Sequence, residues 1–432
     1  MGRAQPCSVQ RRCRSSPRHH ARRMSDAVRA VERVARLSYG KLVARLAARI
    51  GSLAEAEDAL GDALTKALET WPDTGVPDSP EAWLTTTARR RAIDHARTGA
   101  LPTIYEQELT RMAEERAEMI PPATDPRLPL MFICAHPAID EALRAPLMLQ
   151  TVLGLDARRM ASVFLMSPGT LGQRLTRVKS KIESARITFD LPEGRDFADR
   201  MADVLNAIYG AYVVGYNGIP AGDRKAASLA EEAIWLASLV AHGFPDEGEA
   251  HGLFALMLFA EARRPARIDP ANGALVPLEE QNTDLWDRAL LIDAEKALRN
   301  ATRNPSLGRF QLEASIQAVH AARRRSRATD WSELRLLYAG LVGLSPTVGA
   351  RTGEAAVLIE KDGPTAALAA LEAIPEVARR SYQPWWAARA HALARLGRIG
   401  EAREAFDRAI GLSDDPAART YLAGCKARLL QS

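Results

Sequence analysis

Helix-forming residues run through almost the whole chain, and this feature limits its fold more than any other. Alanine, leucine, arginine and glutamate dominate, and alternating runs of β-branched residues are absent. This pattern is typical of helices and not of strands. At 432 residues, the chain is long enough for two or more domains with separate cores. We therefore predict an all-α protein with several helical domains.

Positive charge is concentrated at the amino terminus. Residues 1–23 hold seven arginines and no acid, so the formal charge of +5 for the whole chain becomes −2 for residues 24–432. A nucleic-acid interface must therefore come from local patches. The first 23 residues lack apolar periodicity and are expected to be a disordered tail. They could form a targeting peptide or a nucleic-acid arm, or translation could start at Met24, which is the reading we favour.

Motifs of common enzyme classes are missing from the sequence. The cysteines form no CxxC pair, the histidines show no HExxH spacing, and neither GxxxxGK[ST] nor GxSxG occurs. The longest strongly apolar run, 253–260, is far too short to span a bilayer. We expect a cytoplasmic protein with no catalytic residue, no metal, no cofactor and no membrane partner.

Residues 155–182 have the layout of a helix-turn-helix. A short helix is predicted around 156–165, then a turn, then a second helix that starts at Ser167-Pro168, a suitable cap and first turn. The apolar stripe of the second helix consists of Leu171, Leu175, Val178 and Ile182. Leu155, Ala161, Val163 and Leu175 are expected to pack the two helices together.

The second helix would lie in a major groove. The side chains expected nearest to base edges or phosphates are Thr170, Gln173, Arg174 and Arg177, and Lys181 extends the same basic face. Arg158 and Arg159 of the first helix would contact the DNA backbone. Whether each arginine binds a guanine edge or a phosphate stays open. A helical hairpin with a solvated basic face is the alternative.

An earlier block pairs an acidic helix with a basic one. Residues 54–71 combine an apolar stripe with an acidic edge made by Glu57, Asp58 and Asp62. Residues 79–97 carry arginines beside Trp83, Thr86 and Thr87, a combination that suits opened or single-stranded DNA. The alternative for Trp83 is a place in the core.

These motifs, in this order, resemble the bacterial extracytoplasmic-function (ECF) sigma factors. The resemblance rests on AEDALGDAL (56–64), AWLTTTARRRAIDHAR (82–97) and GTLGQRLTRVKSKI (169–182). Segments such as FICAHPAI (132–139) and AIYGAYVVGYNG (207–218) are similar to the subgroup with a long C-terminal extension containing tetratricopeptide repeats (TPRs). Buried packing is the expected role of these two segments themselves.

The resemblance implies partners and a role for each candidate residue. Asp58 and Asp62 would dock on the β′ clamp helices of core RNA polymerase, whose β flap is a further contact. The −10 element of promoter DNA would be bound and melted by Trp83, Thr86, Thr87, Arg90, Asp94 and Arg97. Thr170, Gln173, Arg174 and Arg177 would read the −35 element. Such a factor is nucleoid-associated and leaves catalysis to the polymerase.

The expected domain order follows from these assignments. It comprises the tail 1–23, sigma domain 2 at 24–98, a linker at 99–129 with an acidic helix at 104–119, sigma domain 4 at 130–188 and a C-terminal regulatory domain at 189–432. Within the last domain, Trp386, Gly397, Ala402, Phe406 and Ala409 have TPR-like spacing. This domain could bind a protein or peptide partner.

Two rival functions belong to other classes. One is a helix-turn-helix regulator with a helical sensor domain, which gives no reason for the acidic helix. The other is a TPR adaptor without DNA binding, which leaves both basic helices unexplained.

Overall fold

The computed structural model describes residues 17–98, 125–161, 166–185, 194–217, 224–303 and 306–429, together with a few single positions between these ranges. The described residues are mostly helical, and their only β-pairing is an isolated bridge between Ile268 and Leu275. The all-α prediction is therefore confirmed. Two compact units divide the chain, residues 1–200 and residues 201–432.

Unit 1 opens with a bundle of three helices. They are α1 (Pro17–Ile50), α2 (Leu53–Thr74) and α3 (Pro80–Thr98). Their mutual packing buries Leu46, Leu60, Trp71 and Leu84 almost completely. Each helix presents an apolar stripe to the other two, which is how an amphipathic helix gains most of its stability.

Two predicted boundaries in this bundle are wrong. Residues 17–23, expected to be disordered, form the start of α1, because no glycine or proline interrupts the chain between Arg18 and Tyr39. The predicted break at 71–80 begins later, since α2 continues through Pro72 to Thr74. Trp71 and Pro72 are both buried, so packing holds the helix past its proline. Residues 1–16 lie outside the described part of the chain.

The second half of unit 1 contains the predicted helix-turn-helix. Its helices are α4 (Arg127–Cys134), α5 (Glu141–Leu153), α6 (Ala157–Ala161) and α7 (Pro168–Ser184), followed by α8 (Gly194–Asn217). Ser167 accepts a hydrogen bond from the Thr170 amide at 3.2 Å, and Pro168 is the first residue of α7, both as predicted. Leu155, Ala161 and Leu175 are buried as expected, whereas Val163 is outside the described residues. The predicted helix at 104–119 also lies outside them.

The two halves of unit 1 pack against each other. Helix α1 contacts α4 and α5, and α2 contacts α7. Gly40 of α1 lies directly on α5, where an added Cβ would overlap the Val152 carbonyl oxygen. Only glycine permits this approach, so the contact is tight. The finer division of residues 1–200 into sigma domains and a linker stays a prediction.

Unit 2 consists of the rest of α8 and eleven further helices, of which successive ones stack in pairs. Their bounds are α9 (Arg224–Gly243), α10 (Gly248–Ala262), α11 (Arg288–Ala301), α12 (Arg309–Ser326), α13 (Trp331–Leu344), α14 (Val348–Lys361), α15 (Pro364–Glu372), α16 (Glu376–Arg379), α17 (Gln383–Arg395), α18 (Ile399–Gly411) and α19 (Pro416–Arg428). Irregular chain with three short 3₁₀ turns joins α10 to α11.

The predicted repeat segment forms a helical hairpin at the carboxyl end of unit 2. Helices α17 and α18 pack together, and Gly397 turns the chain between them with φ of 71°. Ala402, Phe406 and Ala409 are buried where the pair meets. The assignment of this hairpin as a tetratricopeptide repeat stays a prediction.

Candidate nucleic-acid interface

Helix α2 presents its acidic edge to solvent. Asp58 and Asp62 are exposed, one turn apart, while Ala59, Leu60 and Ala63 between and beside them are buried in the bundle. Ser52 caps the helix by accepting a hydrogen bond from the Glu55 amide at 3.3 Å, which fixes where the first turn starts. The two carboxylates are therefore available to a positively charged partner surface.

Helix α3 carries the predicted promoter-contacting residues on a mixed face. Arg90 and Thr86 are exposed, and the Thr86 hydroxyl donates to the Ala82 carbonyl at 2.9 Å. Thr87 is half-buried. The side chains of Asp94 and Arg97 are outside the described structure.

Trp83 has a place in the bundle as well as on its surface. Its ring is half-buried and meets Trp71 edge to face, with centroids 5.4 Å apart and planes at 68°. Trp71 is only 1% exposed, so Trp83 covers the outer side of the core. The Trp83 ring is thus partly packed in the bundle and partly accessible to solvent. Its role in binding DNA bases stays a prediction.

The second helix of the helix-turn-helix exposes its basic face. Thr170, Gln173, Arg174 and Arg177 are all exposed, opposite the buried stripe of Leu171, Leu175, Val178 and Ile182. On α6, Arg158 is exposed, whereas the side chain of Arg159 is outside the described structure. The exposed side chains form one continuous strip along α7, which suits an extended anionic partner.

Lys181 differs from the rest of this strip. Its ammonium group donates to the Ala138 carbonyl at 2.6 Å, across to the connection between α4 and α5. The side chain is exposed, but the hydrogen bond directs it toward the protein. In this structure Lys181 links the carboxyl end of α7 to the connection between α4 and α5.

A buried ion pair joins the acidic helix to the basic one. Glu57 of α2 is paired with Lys179 of α7, and each side chain is only 12% exposed. Burial raises the pKa of the Glu57 carboxyl, and the nearby Asp58 charge adds to the rise, while Lys179 opposes it. The second carboxylate oxygen, Oε1, is buried without a hydrogen-bond partner. Ionised Glu57 therefore depends on Lys179 alone.

Sequence reasoning missed this pair, although a signal was present. Glu57 belongs to the acidic edge of residues 54–71, and Lys179 lies one residue after Val178 of the apolar stripe. A charged residue at the border of such a stripe is a position that a neighbouring helix covers. Only the packing of α2 on α7 shows which neighbour it is.

A second missed contact lies at the start of α8. The Phe197 ring stacks on Phe132 of α4, with centroids 5.4 Å apart, and Arg200 donates to the Phe132 carbonyl at 2.8 Å. Residues 128–135 are buried, and so is Tyr212 in the later segment. Buried packing, the role expected for the segments 132–139 and 207–218, is thus seen for residues 132–135 and for Tyr212.

The structure also bears on metal binding and membranes. In the described part of the chain, no group of three His, Cys, Asp or Glu side chains is arranged to hold a metal ion. No helix among the described residues has the length and apolarity needed to cross a bilayer.

Comparison with known proteins matches the first bundle to a transcription factor domain. Residues 37–100, which include α2 and α3, match the family described as sigma-70 region 2. This part of the chain is thus similar to sigma-70 region 2, a domain that implies binding to core RNA polymerase and promoter DNA by an initiation factor. Residues 200–302 match a family of unknown function, DUF6596.

One relative aligns with most of the chain. An uncharacterized protein of Rhizobium meliloti (strain 1021) is 37% identical over 374 residues, which cover 85% of this chain and 88% of that protein. The chain therefore belongs to the same family as the Rhizobium protein. No solved structure matches the chain.

Proposed function

We propose that this chain is an ECF-type sigma factor that binds core RNA polymerase, recognises and melts promoter DNA, and is regulated by its C-terminal helical extension. The observation that carries the proposal is the exposed pair Asp58 and Asp62 on α2, followed directly by the arginine-bearing α3, within the segment that matches sigma-70 region 2. The carboxylates dock on the β′ clamp helices, and α3 binds the −10 element.

Helix α7 supplies the second DNA contact in this proposal. Its exposed strip, from Thr170 to Arg177, faces the major groove of the −35 element, and the β flap holds this half of the factor. Arginine forks suit both guanine edges and phosphates, so the strip can provide affinity and sequence choice together.

The C-terminal unit acts in the proposal as a TPR-like regulatory extension. Support comes from the hairpin of α17 and α18, whose small buried residues and glycine turn fit a repeat of two antiparallel helices. Stacked helix pairs of this kind expose an extended surface, which suits a protein or peptide partner.

Run-off transcription with purified core polymerase tests the proposal. Templates carrying candidate promoters from the source genome are transcribed with core alone and with core plus this protein. Specific transcripts that appear only with the added protein are the expected result. DNA binding without transcription would favour a helix-turn-helix regulator. A protein that binds neither DNA nor core polymerase would favour an adaptor.

A further inference from the structure

Unit 2 contains a buried cation that lacks a counter-charge. Arg263 follows the last residue of α10, and only 9% of it is exposed. Its Nη2 donates to the side-chain oxygen of Gln317 on α12 at 2.5 Å. Its Nη1 is also buried and makes no hydrogen bond to any residue that the structure describes. The N–H groups of a buried guanidinium normally all donate hydrogen bonds. Arg263 therefore has an unsatisfied donor at Nη1.

Among the described residues, no carboxylate is one of the groups that act most strongly on this charge. Burial lowers the pKa of Arg263, and the groups that act most strongly on it are Tyr216, Tyr212, Arg323 and Tyr338. The nearby acids are committed elsewhere. Glu261 pairs with Arg264 at 2.5 Å, and Glu313 pairs with Arg309 at 2.7 Å. A buried cation held only by a neutral amide destabilises the fold unless something else supplies negative charge.

The surroundings of Arg263 are those of an anion site. Arg264 and Arg267 lie over the face of the Tyr216 ring, at 5.0 and 4.8 Å from its centroid. Together with Arg323, they place several positive charges around one corner of unit 2. Glu261 pairs with Arg264, and Asp415 lies 3.3 Å from Arg267. These two acids offset only part of the positive charge.

A tyrosine forms another wall of this corner. Tyr338 of α13 acts on the Arg263 charge, and burial raises the pKa of its phenol to about 12, so it stays a neutral hydrogen-bond donor. Gly353 of α14 makes room for the ring, because an added Cβ there would overlap it. Part of Tyr338 is nevertheless accessible to solvent.

We propose that Arg263 is the base of a binding site for a small oxyanion, the carboxylate or phosphate of a diffusible ligand, with Gln317 fixing the guanidinium and the Tyr338 hydroxyl as a second donor. A small anion fits better than an acidic side chain of a folded partner, because Nη1 lies beneath the surface. The site is independent of polymerase and DNA binding.

The test compares ligands and variants in the full-length protein. Calorimetric titration and thermal unfolding are measured with inorganic phosphate and with benzoate, against chloride at equal ionic strength. At least one probe is expected to bind and to raise the unfolding temperature above the chloride value. The probe that binds distinguishes a phosphate ligand from a carboxylate ligand. Absence of binding by both probes would overturn the proposal.

Variants assign the effect to the guanidinium. Arg263→Gln is expected to weaken binding at least tenfold, and without the anion its unfolding temperature should equal or exceed that of the wild type. Arg325→Gln is the matched control, since it removes the same charge from an exposed residue of α12 that pairs with Glu295 at 2.7 Å. Equal weakening in the control, or an Arg263→Gln protein that is less stable and still binds the anion, contradicts the proposal.

A second variant keeps the proposal testable if the Arg263→Gln protein does not fold. Arg263→Lys keeps the positive charge but loses the planar fork, so binding should weaken while the fold is retained. Unchanged binding in Arg263→Lys would show that the fork is not used and would also overturn the assignment.

Discussion

At the scale of single residues, the proposed function depends most on Asp58 and Asp62. Both are exposed and neither supports the bundle, so reversing their charge should leave the fold intact. Asp58→Arg with Asp62→Arg is expected to abolish binding to core polymerase in a co-migration assay, because like charges would then face each other.

A charge-matched control separates this effect from net charge. Glu404→Arg with Asp414→Arg changes two exposed acids of unit 2 by the same amount and should bind core normally. Full core binding by the Asp58/Asp62 variant would rule out the proposed docking face.

Two glycines of unit 1 should respond to alanine in opposite directions. Gly172 lies inside α7, and an added Cβ would only touch the Ala157 Cβ at 4.0 Å. Gly172→Ala is therefore expected to raise the free energy of unfolding by up to about 1 kcal/mol. Gly154 ends α5 with φ of 68°, and its Cβ would lie 2.9 Å from Tyr39. Gly154→Ala should lower the same quantity by at least about 1 kcal/mol. Urea denaturation measures both, and the same sign for the two variants would contradict the geometry.

At the scale of helices, the exposed strip of α7 should determine affinity for promoter DNA. Arg174→Ala with Arg177→Ala removes two exposed cations without touching the buried stripe. We expect weaker binding to promoter DNA and a shallower dependence of affinity on salt, because fewer counterions are released. Fluorescence anisotropy at several salt concentrations measures both effects. Thr176→Ala on the same helix is the control, and an equal loss there would argue against a specific role for the arginines.

The contact between α2 and α7 should make stability depend on pH. The pKa of Glu57 is raised by burial in the folded protein, so its contribution to stability is present at acidic pH and is lost as the pH rises through the folded pKa. Lys179→Met removes the charge that opposes this rise. At neutral pH the free energy of unfolding of the variant should be about 3 kcal/mol lower than that of the wild type. As the pH falls below the ordinary range of a carboxyl pKa, Glu57 becomes protonated in both the folded and the unfolded state, and the difference should shrink.

A double variant and an exposed pair serve as controls for this contact. Glu57→Gln combined with Lys179→Met leaves no buried charge and should regain most of the lost stability. Lys66→Met breaks the exposed pair with Glu69, 3.0 Å apart on α2, and should cost about 0.5 kcal/mol or less. A loss in Lys179→Met that does not vary with pH would show that Glu57 is not the group responsible.

At the scale of the whole molecule, unit 1 extends into α8. Phe197 and Arg200 both contact Phe132, within residues 1–200. A fragment of residues 24–190 lacks these contacts, whereas 24–217 keeps them. The longer fragment is expected to unfold several degrees higher, as an aromatic pair and a charged hydrogen bond together contribute about 2–4 kcal/mol.

The same fragments address regulation. Transcription by 24–217, compared with the full chain, shows whether unit 2 activates or restrains the factor. Because 24–217 retains the contacts to Phe132, a change in activity cannot be attributed to their loss. Equal thermal stability of the two fragments would contradict the assigned role of α8.

Much of the fold could be predicted because its signals are local. Ser167 and Pro168 start α7, Gly397 turns α17 into α18, and the stripe from Leu171 to Ile182 is buried, each as the sequence indicated. Exposure of Asp58 and Arg174 also followed, since residues opposite an apolar stripe face solvent. Pro72 misled the prediction, because burial outweighed the usual effect of a proline in a helix.

By itself, the sequence determined that this protein is helical, where most of its helices begin, and which faces carry acid and arginine. These properties arise from residues three or four apart, so they can be read along the chain. Tertiary structure alone decided that Glu57 pairs with Lys179, that the chain at Val152 packs directly on Gly40, and that Arg263 is buried with no carboxylate partner among the described residues. Such contacts join residues that are distant in sequence, and their partners are selected by shape and by the loss of water, which no local spacing encodes.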